Sequence, residues 1–213
     1  MKKLHLEVID KKRQGILKKL SLLFQKQYYL AGGTALALQI GHRESMDFDL
    51  FANKELSFVQ KKILVKAFSK NKLQTLADTA DELTVIIDGS IKITLLNYYW
   101  GPLLPLIHFT GIMPLLSIKE IAATKAYTIG RRGNYRDYFD LYVVIRNKFA
   151  SLKEIIKLCT KKYGDLFSAR MLLEQLTYLD DAPKDEKLRY LNEKYIAPGK
   201  LISFFKKEII CGN

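Results

Sequence analysis

One stretch near the start of the chain, residues 28–51 with the sequence YYLAGGTALALQIGHRESMDFDLF, constrains the fold more than any other. It opens with a short β-prone run, and Gly32 and Gly33 then allow a tight turn and a close backbone approach. Residues 34–40 are rich in Ala and Leu, which favour a helix, and Gly41 stands where helices often end. The stretch therefore predicts a strand, a glycine turn, a short helix, a polar loop and a second strand.

Two carboxylates are predicted to share one face of the second strand. In the alternating run MDFDLF at 46–51, Asp47 and Asp49 are two residues apart, and the apolar residues around them point to the other face. Such a pair can hold Mg²⁺, which prefers oxygen ligands and bridges to substrate phosphates. The same pattern occurs on solvated edge strands, so taken alone it leaves both interpretations open.

The glycine turn before the helix is a candidate phosphate site. Gly32, Gly33 and Thr34 are expected at the start of the helix, where backbone N–H groups and the helix dipole attract anions. An ordinary turn would contain the same glycine pair. A triphosphate cradle and a carboxylate pair for Mg²⁺ are nevertheless complementary parts of one nucleotide site, which favours the functional interpretation of both.

Several motifs taken together resemble one known family. GGTAL at 32–36 and GHRESMDFDLF at 41–51 are similar to the start of the AbiEii-like toxin nucleotidyltransferases, members of the polymerase-beta-like nucleotidyltransferase superfamily. The resemblance continues in LSIKEIAATKAYTIGRRGNYRDYFDLY at 116–142, in YLDDAP at 178–183 and in GKLISFFKKEI at 199–209. It implies an enzyme that transfers a nucleoside monophosphate from an NTP to an acceptor, and the toxin of a toxin–antitoxin pair with a cognate antitoxin.

The resemblance also implies roles for further residues. Lys125 matches a family lysine that meets nucleotide phosphates, and Asp137 matches an aspartate that activates the acceptor or orients Lys125. Arg43 and Ser45 are expected to add phosphate contacts. Without the resemblance, Lys125 would pass for a surface lysine and the pair Asp137 and Asp140 for an ordinary acidic helix side, on which one aspartate orients a neighbouring arginine.

One position departs from the pattern of many nucleotidyltransferases. These enzymes carry a third metal-binding carboxylate on a later strand, and here Thr94 stands at the position where we expect it. Full two-metal coordination is therefore in doubt, or another group completes it.

The charge of the chain favours a polyanionic partner. The 35 Lys and Arg against 22 Asp and Glu give a formal net charge of +13, which attracts nucleic acid through counterion release. A lysine-rich helix at 10–27 and the loop RRGN at 131–134 add basic side chains. We expect RNA as the acceptor, in particular the 3′ end of a tRNA, although an ordinary basic surface is the alternative.

Other features bear on where the protein resides. Cys159 and Cys211 are the two cysteines of the chain, far apart and without metal-ligand spacing, which is typical of a reduced cytoplasmic protein. The N-terminus lacks the apolar core of a signal peptide. Residues 93–118 contain no charged residue, but their prolines and glycines would break a membrane-spanning helix. We expect no membrane segment.

The predicted fold is α+β. A nucleotidyltransferase-like mixed sheet flanked by helices is expected over residues 1–105, followed by a helical C-terminal domain over 106–213. Asp88-Gly89 predicts a hairpin turn between strands within 83–97. Capping boxes starting at Ser57, Ser117 and Ser151 predict three helix starts.

Three alternatives to an RNA-modifying enzyme remain open from the sequence. The first is a nucleotide-binding module with weak catalysis, and the second is an enzyme that nucleotidylates protein. The third is a non-enzymatic partner protein with a basic surface. Metal-dependent NTP binding and nucleotide consumption distinguish these alternatives.

Overall fold

The computed structural model describes residues 3–131, 133–179 and 188–211. The chain forms two compact units, Met1–Ser117 and Ile118–Asn213, and each is described by itself. Arg132 and residues 180–183 of the YLDDAP motif lie outside the described residues.

The described part of the first unit contains a short 3-10 helix (Leu6–Val8), three α-helices and five strands. The α-helices and strands are α1 (Lys11–Phe24), β1 (Tyr29–Ala31), α2 (Gly32–Ile40), β2 (Phe48–Ala52), α3 (Phe58–Ala67), β3 (Leu73–Asp78), β4 (Glu82–Ile87) and β5 (Ile91–Asn97). The strands form one sheet in the order β1-β2-β5-β4-β3. Strands β2 and β5 run parallel and the other neighbouring pairs run antiparallel, so the sheet is mixed.

The sheet has one apolar face and one polar face in its central strands. Phe48 and Leu50 on β2, Ile93 on β5 and Val85 on β4 are all at most 1% exposed. Their neighbours in the sequence, which point the other way, include aspartate, threonine and lysine. The buried face thus anchors the central strands, and the opposite face presents their polar residues.

Local sequence signals account for the predicted hairpin and the first of the capped helices. Asp88 and Gly89 have the positive φ values, 50° and 69°, that a primed turn requires, and with Ser90 they join β4 to β5 at the predicted place. Ser57 and Gln60 form the predicted capping box of α3. Strand β3 was not predicted, and its residues are mostly exposed.

The connection after β5 belongs to the first unit. Leu115 forms bridges with Leu30 and with Ile107, and the backbone N–H of Met113 donates to Ser21 Oγ at 2.9 Å. These contacts tie residues 106–116 to β1 and α1, so the expected boundary at 105 falls within the first unit.

The second unit is helical. Its described α-helices are α4 (Ile118–Ile129), α5 (Tyr135–Arg146), α6 (Leu152–Tyr163), α7 (Ala169–Leu176) and α8 (Pro198–Cys211), and a short 3-10 helix (Gly164–Leu166) follows α6. Ser151 and Glu154 form the predicted capping box of α6. Glu120 on α4 and Lys162 on α6 form a buried ion pair, with side-chain exposures of 0% and 1%.

The two units together confirm the predicted α+β fold, a mixed sheet flanked by helices followed by a helical second half. Among the described residues, no helix has both the length and the apolar character needed to span a membrane.

Candidate active site

The carboxylate pair lies at the start of β2, on the polar face of the sheet. Asp49 is paired with Ala31 on β1 and with Thr94 on β5, and Asp47 immediately precedes the strand. Phe48, between them, is fully buried on the opposite face. The predicted arrangement of Asp47 and Asp49 on one face is therefore present, anchored by an apolar residue.

Asp49 lies against the N-terminal turn of α2. Gly32, the first residue of that helix, has φ of +65°, and a Cβ built on it would fall on Asp49 Oδ2. The N-cap residue Ala31 has no side chain that accepts a hydrogen bond. The carboxylate and the positive end of the helix dipole are thus brought together by the absence of a side chain at Gly32.

Gly33 gives similar room to an arginine. A Cβ at Gly33 would lie 2.5 Å from Arg43 Nη2, and Arg43 itself is only 3% exposed. Arg43 Nη1 donates to the Glu44 carbonyl at 2.9 Å, which fixes the guanidinium near the helix start. A buried guanidinium beside backbone N–H groups adds a permanent positive charge to the place where phosphates are expected.

The hydroxyls of Thr34 and Ser45 hold the loop before β2 onto α2. Their oxygens are 2.7 Å apart, and Thr34 Oγ1 also donates to the Asp47 carbonyl. Both residues are buried. Their side chains therefore fix the backbone at Asp47 and are occupied in doing so.

The donor set fits a hard divalent cation. Asp47 and Asp49 have carboxylate oxygens, the ligand type that Mg²⁺ prefers, and Gly32 leaves space for the Asp49 carboxylate. The described residues contain no group of three or more His, Cys, Asp and Glu suited to a metal. Thr94, at the position where we expected a third carboxylate, is the cross-strand partner of Asp49.

Three further residues of this polar face were not among the predicted site residues. Lys92 on β5 donates its backbone N–H to Asp47 Oδ1 at 3.3 Å, and its Nζ is 3.9 Å from Asp47 Oδ2. Thr84 and Glu82 on β4 continue the face beyond Thr94. The alternation of side chains along β4 indicates that Thr84 and Glu82 share a face. Their position beside Thr94 follows only from the register of β4 against β5.

A second cluster of chemistry-bearing residues lies within the helical unit. Lys125 Nζ on α4 is 2.7 Å from Asp137 Oδ1 and 2.7 Å from Asp140 Oδ2, both on α5. The lysine side chain is 9% exposed, the Asp137 side chain 12% and the Asp140 side chain 0%. Lys125 is therefore not a surface lysine, and both aspartates contact it.

The two aspartates differ in their contacts. Asp140 is fully buried, whereas Asp137 lies in the first turn of α5, which begins at the N-cap Asn134. Asp137 Oδ2 is buried and has no hydrogen-bond partner among the described residues. Asp140 is thus placed to hold Lys125, and Asp137 has one oxygen to hold Lys125 and another for a further group.

Arg131, in the basic loop RRGN at 131–134, makes its contacts within its own unit. Its guanidinium stacks on the Tyr127 ring at 3.6 Å from the centroid, and Tyr127 stacks on Tyr163 at 3.9 Å. Nη2 donates to the Leu166 carbonyl at 2.9 Å, and Nη1 to the Tyr127 carbonyl at 3.3 Å. Arg131 therefore stabilises the end of α4 as well as contributing charge.

Comparison with known proteins agrees with the family resemblance of the sequence motifs. The family model for the nucleotidyl transferase AbiEii toxin of type IV toxin–antitoxin systems matches residues 16–98 and 102–197. The protein aq_aa25 of Aquifex aeolicus is 34% identical over 176 residues, which are 81% of this chain and 84% of that protein.

Solved structures share the fold at lower identity. MenT4, a nucleotidyltransferase toxin from Mycobacterium tuberculosis, superposes with a TM-score of 0.56 at 15% identity, covering 93% of this chain and 84% of its own. JHP933 from Helicobacter pylori superposes with a TM-score of 0.54 at 17% identity, covering 98% of this chain and 93% of its own. At these identities the likeness shows the fold alone.

Proposed function

Since the chain belongs to the AbiEii family of nucleotidyltransferase toxins, we propose that it transfers a nucleoside monophosphate from an NTP to RNA, with the 3′ end of a tRNA as acceptor. The observation that carries this proposal is the contact of the Asp49 carboxylate with the N-terminal turn of α2 at Gly32. A carboxylate for a cation and a helix start for phosphates then lie side by side, as a bound NTP requires.

In the proposed reaction, the oxygen of the acceptor hydroxyl attacks the α-phosphorus of the NTP. The bond from that phosphorus to the bridging oxygen breaks, pyrophosphate leaves, and the hydroxyl proton passes to a base. Mg²⁺, held by Asp47 and Asp49, supplies positive charge to the phosphate oxygens when bound. Gly32, Gly33 and Thr34 present backbone N–H groups to the triphosphate, and Arg43 adds its charge beside them. Ser45 contributes by fixing Thr34.

Lys125 and Asp137 have roles that the family resemblance supports. We assign to Lys125 the neutralisation of nucleotide phosphates as a compact ammonium, oriented by Asp140 and by Asp137 Oδ1. Asp137 Oδ2 is the carboxylate atom that we assign to the proton of the acceptor hydroxyl.

The acceptor assignment is supported by charge. A net charge of +13 exceeds what binding of an NTP alone requires, and α1 carries exposed lysines, including Lys11 and Lys18. We further propose that the protein acts in the cytoplasm, where RNA acceptors are found, and that a cognate antitoxin counteracts it, as the family description implies.

Incubation with each α-labelled NTP, Mg²⁺ and total cellular RNA tests the acceptor. We expect label from one or more NTPs on a discrete RNA, with release of pyrophosphate. Label on protein while RNA stays unmodified would replace the RNA proposal by protein nucleotidylation.

Salt dependence provides a second test of RNA binding. Each phosphate neutralised by a basic side chain contributes about 0.7–0.9 to the slope of log affinity against log salt. The double substitution Lys11→Ala and Lys18→Ala should therefore lower that slope by about 1–2 units without changing NTP affinity. Lys157→Ala with Lys161→Ala, which removes the same charge from exposed positions of α6, is the matched control. A flat salt response of the wild type would contradict RNA binding.

A nucleotide-binding module with weak catalysis is the second candidate, because Thr94 stands in place of a carboxylate. Binding of NTP without its consumption, with any RNA present, would favour that candidate.

A further inference from the structure

The first carboxylate of the candidate site lies just outside the sheet. Strand β2 begins at Phe48, whose partner on β5 is Ile93, and Asp47 precedes that pair. The hydrogen bonds of the sheet therefore fix the backbone of Asp49 but leave the direction of Asp47 to other contacts. One of these contacts comes from α2, where Thr34 Oγ1 donates to the Asp47 carbonyl.

The second contact comes from a buried arginine on α1. Arg13 is 8% exposed, and its Nε donates to the Met46 carbonyl at 3.1 Å. That carbonyl belongs to the peptide group that also contains the nitrogen of Asp47, so the hydrogen bond fixes the plane of this peptide. Arg13 Nη2 donates to the Ser90 carbonyl in the turn between β4 and β5 at 3.2 Å. Nη1 donates to the carboxylate of Asp10, the N-cap residue of α1.

The contact with Ser90 bears on the same carboxylate. Two residues after Ser90, the backbone N–H of Lys92 donates to Asp47 Oδ1 at 3.3 Å. One guanidinium thus joins the peptide before Asp47 to the backbone segment that holds the Asp47 side chain. A guanidinium is a rigid fork that donates in fixed directions, whereas the ammonium of a lysine is a compact charge on a flexible stem.

We propose that Arg13 is a positioning residue for nucleotidyl transfer, which sets the direction of the Asp47 carboxylate before a cation binds. It acts through the backbone on both sides of that carboxylate and does not itself touch substrate or cation. The inference rests on the proposed function, because it takes Asp47 as a ligand of a divalent cation. A ligand that already points in the binding direction loses less conformational freedom when the ion arrives.

Charge and position predict opposite effects for the loss of Arg13. A guanidinium beside the peptide of Asp47 repels a divalent cation, so through charge alone its removal would tighten cation binding. If Arg13 positions Asp47, its removal weakens cation binding, because the carboxylate is no longer held in one direction. Partners that orient metal ligands typically change metal affinity by about 10–100-fold. The sign of the change therefore distinguishes the two effects.

Titration of the purified, metal-free protein with Mn²⁺ alone, followed by the electron paramagnetic resonance of the free ion, measures that sign. We expect Arg13→Gln, which removes the charge, to weaken Mn²⁺ binding by about tenfold or more. Arg13→Lys, which keeps the charge but loses the fork, should weaken it by a similar factor. Unfolding in urea, recorded for each variant, shows which of the two remains folded.

Lys12→Ala is the matched control. Lys12 is the neighbour of Arg13 on α1, and its Nζ donates to Asp88 Oδ2 in the same turn between β4 and β5 at 2.7 Å. The substitution removes one positive charge and one contact with the turn, but the pair that it breaks is exposed and leaves the Met46 carbonyl with Arg13. Mn²⁺ affinity should therefore stay within about twofold of the wild type.

Hydrogen exchange of the metal-free protein measures the positioning without any metal. We expect the backbone amides of residues 45–48 to exchange faster in Arg13→Lys than in the wild type and in Lys12→Ala. The amides of α3, in the same unit, are the internal reference, because a general loss of stability would accelerate their exchange as well.

The outcomes separate the positioning role from the metal site. Unchanged or tighter Mn²⁺ binding in a folded Arg13 variant would overturn the positioning role while the metal site stands. Weaker Mn²⁺ binding with unchanged exchange at residues 45–48, or an equal loss in Lys12→Ala, would overturn it as well. Unchanged Mn²⁺ affinity in Asp49→Asn would overturn the metal site itself, and with it the proposed function.

Discussion

Replacement of Gly32 by alanine tests whether the close approach of Asp49 to the start of α2 is needed for activity. Gly32 has φ of +65°, and an added Cβ would fall on Asp49 Oδ2. An alanine in the left-handed region costs about 1–2 kcal/mol. The Asp49 carboxylate must also move, because the two groups would occupy the same space. A displacement of about 1 Å in a catalytic group lowers rates by about 10²-fold.

Gly89→Ala is the matched control. Gly89 has φ of +69°, and a Cβ there would meet no atom within 4 Å. Both variants should therefore lose about 1–2 kcal/mol of unfolding free energy from backbone strain, as measured in urea. Only Gly32→Ala should also lose Mn²⁺ affinity and nucleotidyl transfer. Equal Mn²⁺ affinity and equal transfer rates in the two variants would refute the reasoning.

The helical unit offers three further predictions about buried or capped charges. Lys125→Met should lower the free energy of unfolding in denaturant by about 3–5 kcal/mol, because it removes the cation beside two buried carboxylates. Lys125→Arg should consume NTP more slowly than the wild type, since a planar guanidinium differs in shape from an ammonium. Lys162→Met should cost a similar amount because it removes the positive charge beside the buried Glu120 carboxylate, whereas Lys162→Met with Glu120→Leu should regain most of that loss. No recovery in the double variant would contradict the ion-pair account. The hydrogen bond from Lys119, with the cap at the start of α6, lowers the pKa of Glu154 from 4.5 to about 2. The ionised Glu154 carboxylate therefore stabilises the fold above pH 4.5, and this effect is lost as the pH falls towards 2. Glu154→Gln should flatten the pH dependence of the unfolding free energy between these pH values. An unchanged slope would contradict this role of Glu154.

Features specified by a few neighbouring residues could be predicted from the sequence. The Asp88-Gly89 turn and the capping boxes at Ser57 and Ser151 depend on contacts within four residues, and the structure has all three. Strand β3 was missed because it lies at the edge of the sheet, with mostly exposed residues and little apolar alternation.

In the candidate site too, features set by neighbouring residues could be predicted and those set by distant residues could not. Asp47 and Asp49 share a face because of strand periodicity, which the sequence displays directly. The position of Thr84 and Glu82 beside Thr94 depends on the register of β4 against β5, which is set by the turn and by packing rather than by either strand alone. The burial of Lys125 could not be predicted, since its two aspartate partners come from the next helix.

Transfer of label from an α-labelled NTP to RNA by the wild type and by Asp49→Asn, with Mg²⁺ present, tests the central claim most directly. The substitution removes a charge with little change of volume, so the unfolding free energy should stay close to that of the wild type. We predict that the wild type labels a discrete RNA and that Asp49→Asn is slower by about a hundredfold or more, since loss of a metal ligand removes several kcal/mol of transition-state stabilisation. Equal rates, or a difference of only about twofold, would contradict the assignment of Asp49 and the site built around it.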